Sequence, residues 1–401
     1  MMAANERINT AISTAELERR WAAVRTAMAE HRIDVLLMQS NNDFMGGYVK
    51  YFTDVPATNG YAQTVVFPRD DRMSVVGQGP FGAVRDLPPE GDGVRRGTAR
   101  FMGTPSYASA YYTAEYDAVL VEKALERYAG ATVGLLGTAA MSYALVDYLK
   151  RGKLSRAKFV DASDVVDAIK AIKSGEELAL IRRTAAMQDA AMDAAFKAIR
   201  PGMRDLEVAA VAEQVGHSLG SEQGLFLCSS APIGMSEMFG SRHLQNRVIQ
   251  PGDQYTLLVE NNGAGGFYTE LGRTCVLGKA SQEMKEEFAF VLEAQKVVLD
   301  LLRPGAACKD IFETYNAFMR RNGRPEEKRL HCHGQGYDMV ERPLIRFDET
   351  MPIQQNMNIV VHPTYVTART FSWVCDNFLI GENGVTEKLH KFPQKIFELG
   401  G

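Results

Sequence analysis

At 401 residues the chain is long enough for two domains, each with its own core. Hydrophobic residues make up 46% and charged residues 23%, and the net charge is −4 with no clustered basic stripe, which leaves no electrostatic case for nucleic acid or an anionic membrane as partner. No run of 18 apolar residues occurs, MMAANERINTAISTAELERR has no apolar signal core, and five widely spaced cysteines form no CxxC, so a cytoplasmic protein without a membrane span or a disulfide framework is expected.

In chain order, STAELERRWAAVRTAMAEHRID predicts a helix, with Ser13 three residues before Glu16 as a capping-box signal and apolar positions recurring at three and four. VLLMQS reads as a short buried strand. YAQTVVFP and MSVVGQG read as a strand pair joined by the turn RDD, and TAEYDAVLVEKALERYAG as a helix. TVGLLG, YALVDYLKRG and FVDAS give strand, helix and strand, so residues 1–165 predict a mixed α/β domain.

A helical stretch, DVVDAIKAIKSGEELALIRRTAAMQDAAMDAAFKAIRPG, opens the second domain, residues 166–401, and Pro201-Gly202 ends it. RDLEVAAVAEQVGHSLG is a second helix, residues 225–280 are rich in strands and turns, and KEEFAFVLEAQKVVLDLLRPG and CKDIFETYNAFMRRNG are two more helices. The recurrence of helix, Arg-Pro-Gly, amphipathic helix is either an internal repeat, with a site between two facing halves, or a common helix stop used twice.

Four polar clusters fall in the strand-rich parts: Ser241-Arg242-His243; VENNGAGGFYTELGRT with Glu260 and Glu270; HCHGQG (residues 331–336) followed by Glu341-Arg342-Pro343; and His362-Pro363 followed by Cys375-Asp376. They hold four of the seven histidines. Gly334 and Gly336 allow backbone to approach closely beside the imidazole of His333. His331 and His333, two apart on a strand, are expected to face the same side, with Cys332 turned into packing. Arg273 reads as one half of an internal ion pair.

KAIKSGEELALIRRTA, IRPGM, FYTELGRT, HGQG with ERP, HP and a strand ending GENG, in that order, resemble the pita-bread superfamily of creatinase, Xaa-Pro peptidases, prolidase and methionine aminopeptidase. The resemblance covers most of the chain. It implies an α/β creatinase-type N-terminal domain over 1–165, an α+β pita-bread catalytic domain with a curved antiparallel sheet over 166–401, and a homodimer acting on a small molecule. The peptidases of this family hold two metal ions with two Asp, one His and two Glu. Here Val259 or Glu260 stands at the first Asp and Glu270 at the second; His333 is kept; His362 replaces one Glu, and Cys375 or Asp376 the other. Val340 stands at the substrate-binding second histidine. With Glu270 on its ligand position, Glu260 is one residue out of step and is expected to turn to the opposite face.

Two readings follow from the resemblance. In one, Glu270, His333, His362 and Asp376 hold a single Zn²⁺, Mn²⁺ or Fe²⁺. In the other no metal binds, as in creatinase, and His243, His333, Glu270 and Glu341 do acid–base work, with Glu260 anchoring a cationic substrate. Tyr268 and Arg342 are further candidates for substrate contact. His at 362 keeps a donor atom, which favours one ion. No organic cofactor is implied. The expected reaction is hydrolysis of a C–N bond in a small polar metabolite, creatinase-like; the alternatives are a metal-dependent Xaa-Pro dipeptidase or aminopeptidase, a lyase, or a non-catalytic binding protein on the same fold.

Overall fold

The computed structural model describes residues 11–400 apart from 43, 46, 57–59 and 241–243. They divide into two compact units, Ala11–Lys170 and one that begins at Ala171. Among the described residues no helix is long and apolar enough to cross a membrane.

Among the described residues the first unit is a mixed sheet with five α-helices. Its strands are β1 (Val35–Ser40), β2 (Gln63–Pro68), β3 (Met73–Gln78), β4 (Val84–Asp86), β5 (Thr98–Thr104), β6 (Thr132–Leu136) and β7 (Lys158–Asp161), in the order β4-β5-β3-β2-β1-β6-β7. Helices α1 (Thr14–Glu30), α2 (Gly47–Thr53), α3 (Tyr116–Ala124), α4 (Tyr143–Arg151) and α5 (Ser163–Lys170) complete it. The Ser13 hydroxyl caps α1 by accepting from the Glu16 N–H, as its spacing predicts. β2 and β3 form the expected antiparallel pair.

The long helix expected across residues 164–200 is broken. α5 stops at Lys170, and α6 (Gly175–Ala198) starts afresh from Ser174. The cause is local: Ser174 and Glu177 form a complete capping box, so an N-terminus sits inside the helical pattern.

The second unit repeats one plan twice. Helices α6 and α7 (Asp205–Ser218) precede β8 (Gly224–Pro232), β9 (Asp253–Asn262) and β10 (Tyr268–Val276). Helices α8 (Gln282–Leu299) and α9 (Cys308–Arg321) precede β11 (Cys332–Gly334), β12 (Glu341–Leu344) and β13 (Asn358–Val361), with β14 (Thr364–Val366), β15 (Phe371–Trp373), β16 (Asp376–Ile380), β17 (Val385–Lys388) and β18 (Phe397–Glu398) following. Each Arg-Pro-Gly lies between the two helices of a pair. The sheets run β18-β10-β9-β8 and β12-β11-β13-β16-β17, antiparallel throughout except where β18 pairs with β10. Gly272 and Cys375 bridge them.

Strand alternation sorts the side chains. Tyr255, Leu257 and Val259 of β9 pack with Phe196 of α6 and Val208 and Ala212 of α7. Cys332, Ile359 and Val361 pack with Val298 of α8 and with Ile311 and Tyr315 of α9. Two helix-covered outer faces leave an inner face on each sheet for polar residues.

Arg273 of β10 ties the two sheets together. It is fully buried and pairs with the equally buried Asp376 of β16 at 2.8 Å. Its remaining N–H groups donate to the carbonyls of Cys375, Phe392 and Pro393. Removing one partner of such a pair leaves a buried charge without its counterion. Asp376→Ala is therefore expected to destabilise the protein by about 3–5 kcal/mol in urea unfolding, with Asp376→Asn, which keeps an acceptor, costing less; a loss under about 1 kcal/mol for the alanine variant would contradict this role.

Candidate active site

The site is built on the β9–β10 hairpin. Its loop needs backbone that only glycine adopts easily, with Gly265 and Gly266 at φ 67° and 82°. Beyond it Glu270 pairs directly with Glu260. Directly opposed residues of an antiparallel pair project to the same face. The expectation that Glu260 turns away is thus corrected: the loop absorbs the one-residue difference, and both carboxylates stand side by side, each buried. Asn261 and Thr269, one step along, face the other way and meet Gln188 of α6.

Two histidines from the second sheet complete the group. On β11, His333 Nδ1 lies 2.8 Å from the Gly334 carbonyl. A carbonyl only accepts, so Nδ1 carries the proton and Nε2 presents its lone pair to Glu270, 3.8 Å from Oε2. His362 follows β13, its ring centroid 5.2 Å from that of His333. One donor atom each from Glu270, His333 and His362 lie within 4.8 Å of one another. Burial lowers both imidazoles to about 4, so both are neutral at pH 7, the form a metal needs. Burial first, and then the Glu270 charge, raise the Glu260 carboxyl well above the usual range.

A polar frame holds these groups. Gln335 donates to Glu260 at 3.0 Å and accepts from Asn377, which also donates to Asn358 and accepts the Glu270 backbone N–H at 2.7 Å. Asn358 and Asn377 carry no signal in a single sequence. Gln335 lies within HGQG, but nothing in that motif tells its role.

Several expected members belong elsewhere. Asp376 is no ligand, because its oxygens are taken by Arg273 and by Gln394 at 2.8 Å; this bears out Arg273 as an internal ion-pair residue. Cys375 is the neighbour turned toward the acids, its thiol against the Glu270 carbonyl and kept protonated by burial and by Glu270. Glu341 is not an acid–base group: it pairs with buried Lys173 at 2.8 Å and accepts the Tyr337 and Asp338 N–H groups, fixing the turn after His333. Arg342, expected to contact substrate, is ion-paired with Glu349. Tyr268 is fully buried and offers no surface to a substrate. His331, just before β11, does not join Glu270, His333 and His362; its ring stacks on Tyr315 of α9, centroids 3.9 Å apart. His243 lies outside the described residues.

Comparison with known proteins bears on the family and the fold. The model of the family described as metallopeptidase family M24 matches residues 179–386. Similar curated proteins include the Xaa-Pro dipeptidase of Pyrococcus furiosus, 29% identical over 66% of this chain and 75% of that protein, and an uncharacterized hydrolase/peptidase, y4tL, of Sinorhizobium fredii, 26% identical over 95% and 96%. Among solved structures, the X-Pro aminopeptidase from Thermotoga maritima superposes with a TM-score of 0.76 at 19% identity, covering 94% of this chain and 99% of that one. The prolidase from Pyrococcus horikoshii gives 0.73 at 19% identity, over 94% and 99%. At that identity the structures support the two-part fold.

With both histidines already neutral, the proton that an ion displaces from the donor group is the one on the carboxylate pair. Loading the chelated protein with Mn²⁺ or Zn²⁺ at pH 7 is therefore expected to release about one proton per ion, read by calorimetry in buffers of different ionisation enthalpy, and Glu260→Gln is expected to abolish the release. No release from the unaltered protein, or the same release from the variant, would contradict the shared proton.

Proposed function

The chain belongs to metallopeptidase family M24, and on that premise we propose that it hydrolyses the amide bond of a dipeptide-sized substrate with one divalent ion held by Glu270, His333 and His362. The observation that carries the reading is the convergence of one carboxylate and two neutral imidazoles, from three strands, within 4.8 Å of one another. Two imidazoles and a carboxylate suit a catalytic Zn²⁺ or a Mn²⁺ or Fe²⁺ ion, with positions left for substrate and water. Bound there, the ion supplies Lewis acidity to the scissile carbonyl and to the attacking water.

The protein's own groups do the rest. The hydrogen bond from His333 Nδ1 to Gly334 fixes the ring, so its donor atom is in place before an ion or substrate arrives. Glu260, oriented by Gln335 and freed of its proton when an ion binds, takes a proton from the attacking water and passes it to the leaving amine. Val340 offers no imidazole where the family's peptidases carry one, so proton transfer falls to Glu260 in this chain. Among the described residues a second ion would find only Glu260 beside the Glu270 carboxylate, since Cys375 is protonated and Asp376 is bound to Arg273.

The Xaa-Pro dipeptidase among the relatives makes Xaa-Pro dipeptides the leading substrate class and puts the peptidase reading ahead of the creatinase-like one. The second reading, cleavage of a C–N bond in a small cationic amidine, is favoured by the buried Glu260–Glu270 pair, which would attract a cation.

A panel of Xaa-Pro dipeptides, other dipeptides and amidines, assayed with Mn²⁺-, Zn²⁺- or Co²⁺-loaded protein, tests the choice. Hydrolysis of an Xaa-Pro dipeptide is expected, abolished by chelation. His362→Ala is expected to lower metal affinity by more than about a hundredfold, and Glu260→Gln to lower kcat by about a hundredfold with the ion still bound. No dipeptide turnover by ion-loaded protein, or turnover indifferent to chelator, would overturn the reading.

A further inference from the structure

In the first unit β1, β3, β5, β6 and β7 run in one direction, and β2 and β4 run against them. Ligands of such sheets bind outside the carboxyl ends of the parallel strands. A cavity of about 310 Å³ lies there, lined by residues that follow β1, β5 and β6 and by the start of α3. Asp117, in the first turn of α3, borders this cavity and is only 4% exposed. Its carboxylate accepts from Gln39 Nε2 at 3.1 Å and from the Thr104 hydroxyl at 2.9 Å, and both donors are neutral. Elsewhere in this unit Glu16 pairs with Arg20 and Asp54 with Arg96. Asp117 has no such counterion among the described residues, and none of the residues lining the cavity is a lysine, arginine or histidine.

The carboxylate is held in place from behind. The Gln39 amide also donates to the Thr64 hydroxyl at 2.9 Å, and its oxygen accepts the Ser142 N–H at 2.9 Å, so the amide is locked. Burial pushes the Asp117 carboxyl up from its ordinary range, while hydrogen bonds from Thr104 and Ser106 pull it down. A buried carboxylate without a counterion is costly, and a cation in the cavity removes that cost. The rim is aromatic. Tyr107 is half-exposed, its ring edge-on to Tyr61 with centroids 6.2 Å apart, and its backbone N–H donates to the Thr113 hydroxyl at 3.0 Å. Tyr107 and Met141 line the cavity with a ring and a polarizable thioether, surfaces that suit an organic cation.

We propose that this cavity binds a small organic cation, a primary ammonium with an apolar or aromatic substituent, its charge on Asp117 and its substituent against Tyr107 and Met141. The site belongs to the first unit alone and does not depend on the hydrolytic reading. A single carboxylate suits a monocation, whereas a divalent metal ion needs several oxygen donors. An anion would meet Asp117 with no basic side chain to hold it, and a neutral ligand would leave the carboxylate without a counterion.

Phenethylamine is the probe, compared by calorimetry on full-length protein with the neutral phenethyl alcohol and the anionic hydrocinnamate. Saturable binding of one amine per chain is expected, at least about tenfold tighter than either comparison ligand. The Glu260–Glu270 pair is a second acidic place for an amine. Glu260→Gln is therefore the control, expected to change the affinity by less than about twofold. Tyr107→Ala, at the exposed rim, is expected to weaken amine binding by about fivefold. Asp117→Asn, which keeps the shape of the side chain and removes its charge, is expected to abolish the preference for amine over alcohol. Should that variant not fold, the amine-to-alcohol ratio of the unaltered protein and the Tyr107→Ala loss still decide. No saturable binding, equal binding of amine and alcohol, binding unaffected by Tyr107→Ala and Asp117→Asn, or binding lost in Glu260→Gln would overturn the proposal.

Discussion

Glu260 and Glu270 stand side by side because β9 and β10 pair in a register that sets them directly opposite, and the rest of the site answers that juxtaposition. Two carboxylates in a buried place repel with little screening, so both are charged only with a cation between or beside them. Without one, a proton stays on the pair. The choice between proton and cation is built into the hairpin, and the two neutral imidazoles add donors that need no deprotonation.

The surrounding frame keeps that arrangement from relaxing. Gln335, Asn358 and Asn377 link the backbone of β10 to Glu260 through side-chain amides, and each amide meets donors and acceptors of the right kind. Arg273 with Asp376 fixes β10 against β16, and Glu341 with Lys173 fixes the turn that follows His333. These ion pairs hold strands in place, so Asp376 and Glu341 sit in the right motifs as anchors of the frame. A metal or substrate then meets donors whose positions are already set, and little ordering remains to oppose binding.

Much of this was legible in the sequence, for physical reasons. Helix caps, alternating strands and the repeated Arg-Pro-Gly stop are local signals, and they place most elements of both units. His333, His362 and Glu270 stood out because polar residues on glycine- and proline-punctuated strands are costly unless used. What local reading missed was relational. The face of Glu260 depends on how many residues the loop takes up, the partner of Asp376 lies 103 residues away at Arg273, and the helix break at Ser174 required a cap to win over a continuous apolar pattern.

The central claim is a single ion held by two imidazoles and a carboxylate, and X-ray absorption at the metal edge of Zn²⁺- or Mn²⁺-loaded protein tests it most directly. The account predicts two imidazole ligands with the remaining ligands oxygen and no second metal among the scatterers. A metal–metal scattering path at about 3.5–4 Å, or a sulfur ligand at about 2.3 Å from Cys375, would contradict it.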